Sequence, residues 1–207
     1  MGYKARVSRR WVFFIGVVLA LVLLDQWTKY LAVEHLTDRF DGHEGLGAEL
    51  GALYTRSDET GPYGYHFMPS GKTEVIDGLL RFRYAENPGA AWGMFRAVPI
   101  SLRMPLFHAV SIAAIVLITY LFRKLRGVRG ETWAVVGLPL VLGGALGNYI
   151  DRISRQFVID FIEAHWFDKA YWPTFNVADM AIVVGVIALL IDSVVRKEPK
   201  PVEAART

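Results

Sequence analysis

The sequence predicts an all-α polytopic membrane protein with four transmembrane helices, a small extracytoplasmic β-rich platform and connecting loops. Of its 207 residues, 53% are hydrophobic. They are gathered into four apolar runs, at about 11–33, 104–122, 133–150 and 177–195. A helix needs ~20 residues to cross a bilayer core of ~30 Å, so each run is long enough to span. We therefore expect residues 1–207 to form a single membrane domain.

The first run follows a basic stretch without acidic residues, a pattern that also opens a cleavable signal peptide. No small-residue cleavage site comes after it. Instead the chain continues through Asp25 and Lys29 to Val33, where the apolar pattern resumes. We therefore expect a retained transmembrane helix.

The segment 34–103, which precedes the second run, is the irregular part of the chain. Its first half contains many glycines and is typical of turns. From Val75 to Tyr84, apolar side chains are interleaved with Arg81 and Arg83, which favours short strands at the membrane surface.

Glycines distinguish the third run, which a short basic link at 123–131 joins to the second. Gly143 and Gly147 are spaced so that a neighbouring helix backbone can approach closely, and helix packing alone would explain them. The last connection, 151–176, mixes aromatic and charged residues and predicts an interfacial aromatic belt before the fourth run begins.

Charge placement orients the predicted helices. The N-terminal stretch, the 123–131 link and the C-terminal tail are rich in Lys and Arg, whereas residues 34–98 hold more acidic than basic side chains. The positive-inside rule therefore places both termini and the link in the cytoplasm, with the 34–103 and 151–176 loops outside. The net charge of +3 reflects this anchoring, and we expect no nucleic-acid partner. The absence of cysteine excludes disulfides, thiol catalysis and thiolate metal sites.

A set of polar residues in or beside the apolar runs falls at the outer ends of the predicted helices, as a functional site requires. They are Asp25 and Lys29 in the first run, Asn148, Asp151 and Arg152 in the third, Asp160 in the 151–176 loop, and Asn176 and Asp179 at the fourth. Asp25 and Lys29 share a helix face and could be only a structural ion pair. Asp151 and Arg152 could cap the third helix where it meets water.

Asp160 and Asp179 lie in the most apolar surroundings of this set. An ionisable side chain at the mouth of a membrane helix is costly and usually functional. Two carboxyls that face each other in a low dielectric share a proton, which is the basis of aspartic protease chemistry.

Five motifs, in this order, resemble the bacterial lipoprotein signal peptidase family, signal peptidase II. They are DQWTK at 25–29, NPGAAW at 87–92, GGALGNYIDR at 143–152, VIDF at 158–161 and FNVAD at 175–179. The resemblance covers nearly the whole chain, including the number and orientation of the spans. It implies an aspartic peptidase of the bacterial inner membrane that removes signal peptides from prolipoproteins carrying diacylglycerol on the cysteine after the cut.

The resemblance also implies a catalytic pair, Asp160 and Asp179, and a set of supporting or substrate-binding residues. These are Asp25, Lys29, Asn87, Gly89, Gly144, Asn148, Asp151, Arg152 and Asn176. The asparagines can hold carboxylates or peptide groups without adding charge, and Arg152 can pair with Asp151 or Asp25. We expect no metal and no cofactor, a monomer, and prolipoproteins and membrane lipid as partners. Which aspartate is the base stays open, because a coupled pair titrates as a unit.

Residues 35–75 predict an insertion relative to compact members of the family. Its histidines, His35, His43 and His66, lie among acidic residues and could in principle bind a metal, but scattered loop histidines are more often solvated. The insertion could also act as a lid over the site or serve only as a link.

Two functions of other classes are alternatives. A small transporter or channel subunit would also carry intramembrane charges. Against it, the polar groups gather at the outer interface, and the inner halves of the second and fourth runs are expected to offer no ionisable residue. A metal-dependent hydrolase of lipid phosphates would need a cluster of ligands on the helices, where the runs offer only His108.

Overall fold

The computed structural model describes residues 3–55, 65–89, 94–95, 97–125 and 130–195, and the side chains of the first helix from residue 9 onward. The helices and strands follow the order α1 (Tyr3–Leu36), α2 (Leu46–Tyr54), β1 (Lys72–Ile76), β2 (Leu80–Asn87), α3 (Ile100–Lys124), α4 (Thr132–Ser154), β3 (Val158–Trp166), β4 (Ala170–Tyr171) and α5 (Val177–Val195).

Four of these helices, α1, α3, α4 and α5, are long and apolar enough to cross a membrane. The predicted four-span architecture is therefore confirmed. Three helices extend beyond the predicted runs, and the fourth coincides with the run 177–195. Because successive spans run antiparallel, the C-terminal ends of α1 and α4 lie at the same end of the bundle as the N-terminal end of α5.

Helix α4 is the central helix of the bundle and packs against α1, α3 and α5. Its glycines permit the closest approaches. A Cβ at Gly143 would lie 2.9 Å from Leu21 in α1, and one at Gly137 would lie 2.8 Å from the Gly185 carbonyl oxygen in α5. The close packing predicted at Gly143 is confirmed against α1, and Gly137 adds a close approach to α5 that was not predicted.

The four strands form one antiparallel sheet in the order β1-β2-β3-β4. The predicted strands between Val75 and Tyr84 are confirmed as β1 and β2. In contrast, the 151–176 loop is not only an aromatic belt, since it begins with the last turn of α4 and its middle part is strand β3. The apolar run from Val158 to Ile162 has the composition of a buried strand, and its pairing places Asp160 opposite Ala85 of β2.

Helix α2 is a second difference from the expected fold, because the turn-rich half of the 34–103 segment contains it. It is only nine residues long and begins after Gly45, whose φ of 87° marks a sharp turn. Gly45 before the helix and Gly47 and Gly51 within it obscured the helix-favouring Leu, Ala and Glu residues of α2.

The buried apolar residues form two clusters. One lies within the bundle and includes Phe14, Val18, Phe122 and Leu142. The other lies beneath the sheet and includes Tyr30, Val33, Leu53, Tyr84 and Ile159. The polar residues predicted at the outer ends of α1 and α4 lie between these two clusters. They therefore form a polar layer with apolar side chains on both sides.

Candidate active site

Asp179 is positioned by the first turn of α5. The side chain of Asn176 accepts a hydrogen bond from the Asp179 N–H at 3.0 Å, and the Asp179 carboxylate accepts one from the Asn176 N–H at 3.3 Å. This reciprocal pair is a capping box, which satisfies two of the free donors at a helix start. The negative charge of Asp179 is also favoured at a helix N-terminus.

Asp160 reaches the same place from strand β3. The amides of Phe161 and Ile162 donate to the Phe175 carbonyl at 3.1 and 2.9 Å, which fixes β3 beside the start of α5. Asp160 is 1% exposed. Burial and the nearby Asp179 carboxylate raise the pKa of Asp160 to about 8, so its protonated form predominates at neutral pH.

Side-chain amides hold both carboxylates. Asn176 donates to Asp160 at 2.8 Å, Asn87 donates to the other oxygen of Asp160 at 3.1 Å, and Asn148 donates to Asp179 at 2.8 Å. Asn176 also donates to the Asn148 side chain at 3.0 Å. Because Asn176 bonds to both aspartates, it sets their relative position without adding charge.

A second group of charges lies next to this pair. Lys29 lies 2.8 Å from both Asp25 and Asp151, and Arg155 forms an ion pair with the other oxygen of Asp151. All four residues are at most 1% exposed. We call them the ion cluster. It contains two carboxylates and two cations, so its formal charges balance, as buried ions require.

The ion cluster holds the backbone on both sides of the aspartate pair. The Asp25 carboxylate accepts a hydrogen bond from the Ala178 N–H at 3.0 Å, and Asp151 accepts one from the Ile159 N–H at 3.1 Å. Ala178 and Ile159 directly precede Asp179 and Asp160. Lys29 also donates to Asn148 at 3.1 Å, which connects the two groups through a side chain.

Arg152 lies elsewhere than expected. The prediction that it pairs with Asp151 or Asp25 is wrong. Its guanidinium donates to the carbonyl oxygens of Asn148 and Gly89 at 3.1 and 3.2 Å and lies 4.6 Å from the centre of the Phe107 ring. Adjacent helical residues point in different directions, whereas Arg155 lies four residues from Asp151 and can reach it.

The alternative roles of the paired charges are now distinguished. Asp25 and Lys29 do form an ion pair, but as part of the larger ion cluster. The interpretation of Asp151 as a cap that meets water is wrong, since it is fully buried.

The Gly89 N–H donates to Asn87 at 3.1 Å, so Gly89 connects Asn87 with Arg152. Residues 90–92 of the same motif lie outside the described residues.

Two glycines of α4 allow the site to close. A Cβ at Gly147 would lie 2.5 Å from the Asp25 carboxylate, and one at Gly144 would collide with the Ala178 carbonyl oxygen. Gly144 therefore supports the site by letting the start of α5 approach α4.

Sequence reasoning missed one member of the ion cluster, Arg155, and two polar residues that contact the cluster, Gln26 and Tyr54. Gln26 donates to Asp25 at 3.1 Å and to Asp151 at 3.0 Å. Its place beside Asp25 and the four-residue spacing of Arg155 from Asp151 were usable signals. Tyr54 gave no such signal, because its helix was not predicted.

The expectation that the inner half of the fourth run lacks an ionisable residue is wrong. Asp192 lies near the inner end of α5, is buried, and accepts a hydrogen bond from the Ala134 N–H at 3.0 Å. It thereby caps the first turn of α4, which is a structural role.

The loop histidines are separated in the structure. His35 is exposed beside Glu34, and His66 bonds to Glu86 at 2.8 Å. Within the described ranges, no group of three or more His, Cys, Asp or Glu residues could hold a metal ion.

Comparison with known proteins gives concordant matches in family and fold. Residues 17–195 match the model of a family described as signal peptidase (SPase) II. The lipoprotein signal peptidase of Anaeromyxobacter sp. (strain Fw109-5) is 42% identical over 194 residues, covering 90% of this chain and 86% of the relative. That of Syntrophus aciditrophicus (strain SB) is 32% identical over 189 residues, covering 91% and 96%. A solved structure described as a bacterial membrane enzyme at 2.3 Å resolution superposes with a TM-score of 0.60 at 27% identity, covering 91% of this chain and 93% of that one.

Proposed function

The chain belongs to the signal peptidase II family, and we propose that it removes signal peptides from diacylglycerol-modified prolipoproteins, with Asp160 and Asp179 as its catalytic pair. Its relatives in Anaeromyxobacter and Syntrophus bear the name lipoprotein signal peptidase. The observation that carries the proposal is that one residue, Asn176, forms hydrogen bonds with the carboxyl groups of both Asp160 and Asp179.

The reaction uses the pair as one acid and one base. Asp160 holds the shared proton at neutral pH, and Asp179 is the carboxylate that accepts a proton from water. As the water oxygen attacks the carbonyl carbon of the peptide before the lipidated cysteine, Asp160 gives its proton to the carbonyl oxygen. The tetrahedral intermediate then collapses: the carbon–nitrogen bond breaks, Asp179 passes its proton to the leaving amine, and a hydroxyl proton returns to Asp160.

Neutral hydrogen-bond donors suit this chemistry. A cation in direct contact with both carboxylates would favour the doubly ionised pair, which has no proton to give. The amides of Asn87, Asn148 and Asn176 orient the carboxyl oxygens of the pair. Because these amides carry no charge, they do not favour loss of the proton that the pair shares. Arg152, held at the Gly89 carbonyl beside the pair, is placed to bind the substrate backbone.

The site faces the outer side of the membrane in this proposal. The pair lies at the sheet end of the bundle, whereas the basic residues Arg123 and Lys124 end α3 at the opposite end. The positive-inside rule then puts both termini in the cytoplasm and the cut at the outer surface of the inner membrane. The substrate's acyl chains bind between the helices and supply part of the binding energy. The enzyme acts as a monomer without a metal or other cofactor.

The test follows signal-peptide removal from a prolipoprotein in proteoliposomes. The wild-type protein should cleave the diacylglycerol-modified substrate and should cleave the unmodified one poorly. Asp168→Asn is a matched control, because Asp168 is an exposed aspartate in the turn before β4, where it binds Arg81 of the sheet and no member of the catalytic pair. Equal rates for the two substrates would refute the lipid requirement, and loss of activity in EDTA would count against a metal-free pair.

A further inference from the structure

Helix α2, within the predicted insertion, lies against the ion cluster. We propose that Tyr54, carried by α2, is a positioning residue: its hydroxyl orients the Gln26 side-chain amide, which binds both carboxylates of the ion cluster. The inference rests on the proposed function, because the ion cluster supports the backbone beside Asp160 and Asp179.

Contacts at several points hold α2 in place. The Tyr30 hydroxyl donates to Glu49 at 2.6 Å. The Arg39 guanidinium donates to the Ala52 carbonyl oxygen at 2.9 and 3.2 Å, near the helix end. Leu53 is 1% exposed and belongs to the apolar cluster beneath the sheet. The C-terminal turn of α2 is therefore anchored, and the position of Tyr54 is fixed with it.

The Tyr54 hydroxyl donates to the Gln26 side-chain oxygen at 2.9 Å. The nitrogen of the same amide faces inward, and its two N–H groups lie within hydrogen-bond distance of Asp25, Asp151 and the Gly147 carbonyl oxygen. A glutamine amide has one donor side and one acceptor side. If it rotated by half a turn, its oxygen would face two carboxylates, so the carboxylates fix the orientation of the amide. The Tyr54 hydroxyl donates to the outward-facing oxygen and holds the amide in that orientation.

The end of α2 also completes the surroundings of Arg155. The Tyr54 ring centre lies 5.1 Å from the Arg155 guanidinium, and the Leu53 carbonyl oxygen accepts a hydrogen bond from it at 3.0 Å. Arg155 in turn binds Asp151, whose other oxygen holds the Ile159 N–H beside Asp160. A continuous set of contacts thus runs from α2 through the ion cluster to the catalytic pair.

A double-mutant cycle tests whether Tyr54 acts through Gln26. Tyr54→Phe keeps the ring over Arg155 and removes only the hydroxyl. We expect it to lower kcat about fivefold, the equivalent of one hydrogen bond, with KM unchanged. In a Gln26→Met background the same substitution should have no further effect. Tyr171→Phe, which removes a hydroxyl bound to Asp168 in the sheet, is the matched control and should keep full activity.

Two results would overturn the inference: an unchanged kcat in Tyr54→Phe, or the same fold-loss with and without Gln26. Cleavage by the wild-type protein is measured first, because its absence would contradict the proposed function and not the role of Tyr54. Thermal unfolding of the wild type, the two single variants and the double variant then tests the role of Tyr54 without an activity assay. We expect Tyr54→Phe to lower the Tm when Gln26 is present and to leave it unchanged in Gln26→Met, and equal shifts in both backgrounds would contradict it.

Discussion

Two pairs of aspartates lie side by side at the sheet end of the helix bundle, and they differ in what binds them. Asp25 and Asp151 are bridged by Lys29, and Asp151 also binds Arg155. Asp160 and Asp179 are held by asparagine amides. The first pair is neutralised by cations and holds the backbone, whereas the second can keep a proton between its members. In the proposed function, the same functional group thus serves structure in the first pair and chemistry in the second, according to its partners.

The largest expected effect comes from removing a member of the catalytic pair. Asp160→Asn and Asp179→Asn should each lower the cleavage rate by about 10³-fold or more, because each removes an acid or base from the reaction. Both proteins should remain folded, since an amide can replace a hydrogen-bonded carboxyl in this amide-rich setting. Cleavage assays and thermal unfolding on the same preparations check both statements, with Asp168→Asn as the control. Robust cleavage by either variant would remove the proposed mechanism.

Substitutions in the ion cluster should lower the stability of the protein, whereas substitutions in the catalytic pair should lower its activity. Lys29→Met leaves two buried carboxylates with one cation, which should lower the free energy of unfolding by about 3–5 kcal/mol. Lys169→Met, at an exposed lysine in the turn before β4, should change it little. Denaturant unfolding in detergent measures the difference. If Lys29→Met is as stable as Lys169→Met, the structural role assigned to the pair Asp25 and Asp151 is wrong.

A glycine substitution sharpens the comparison by displacing the ion cluster without changing its charge. Gly147→Ala places a Cβ 2.5 Å from the Asp25 carboxylate and should lower stability by about 1–3 kcal/mol. Gly16→Ala in α1, where a Cβ meets nothing within 4 Å, should be neutral or slightly stabilising. Thermal unfolding distinguishes them, and equal Tm values would show that the close contact is not a constraint.

The smallest effect predicted for the two aspartate pairs is on the pH profile. Since the pKa of Asp160 is raised to about 8, its proton is present below that pH and is lost above it. Activity should therefore fall about tenfold between pH 7 and pH 9. The rate under saturating substrate, measured across this range in wild type and Asp168→Asn, checks it. A profile that is flat to pH 9 in both would argue against a proton held on Asp160.

The sequence contains most of the site in recognisable form. Asp25, Lys29, Asn148, Asp151, Asn176 and Asp179 lie near the ends of apolar runs, so counting along the helices places them at one depth. The motif at 158–161 identifies Asp160, and its apolar neighbours could have predicted strand β3. Arg155 could also have been found, because helical spacing of four residues faces it toward Asp151.

Local sequence patterns do not encode contacts between segments that are far apart in the chain. Tyr54 reaches Gln26 because α2 folds back onto α1 and α4, and its nearest polar partners are far away in sequence. Arg152 was expected to pair with Asp151 from proximity in sequence alone, but helix geometry points the two side chains apart. Both differences arise from the direction of side chains rather than from the identity of residues.

The most direct test of this account is to detect the proton on the catalytic pair. Infrared difference spectroscopy of the protein in lipid, recorded as the pH is raised from 6 to 10, reports the carbonyl stretch of a protonated carboxyl. We predict one such band, lost near pH 8 in wild type, absent in Asp160→Asn and preserved in Asp168→Asn. A spectrum without this band at neutral pH, or a band that persists in Asp160→Asn, would contradict the distinction between the two aspartate pairs.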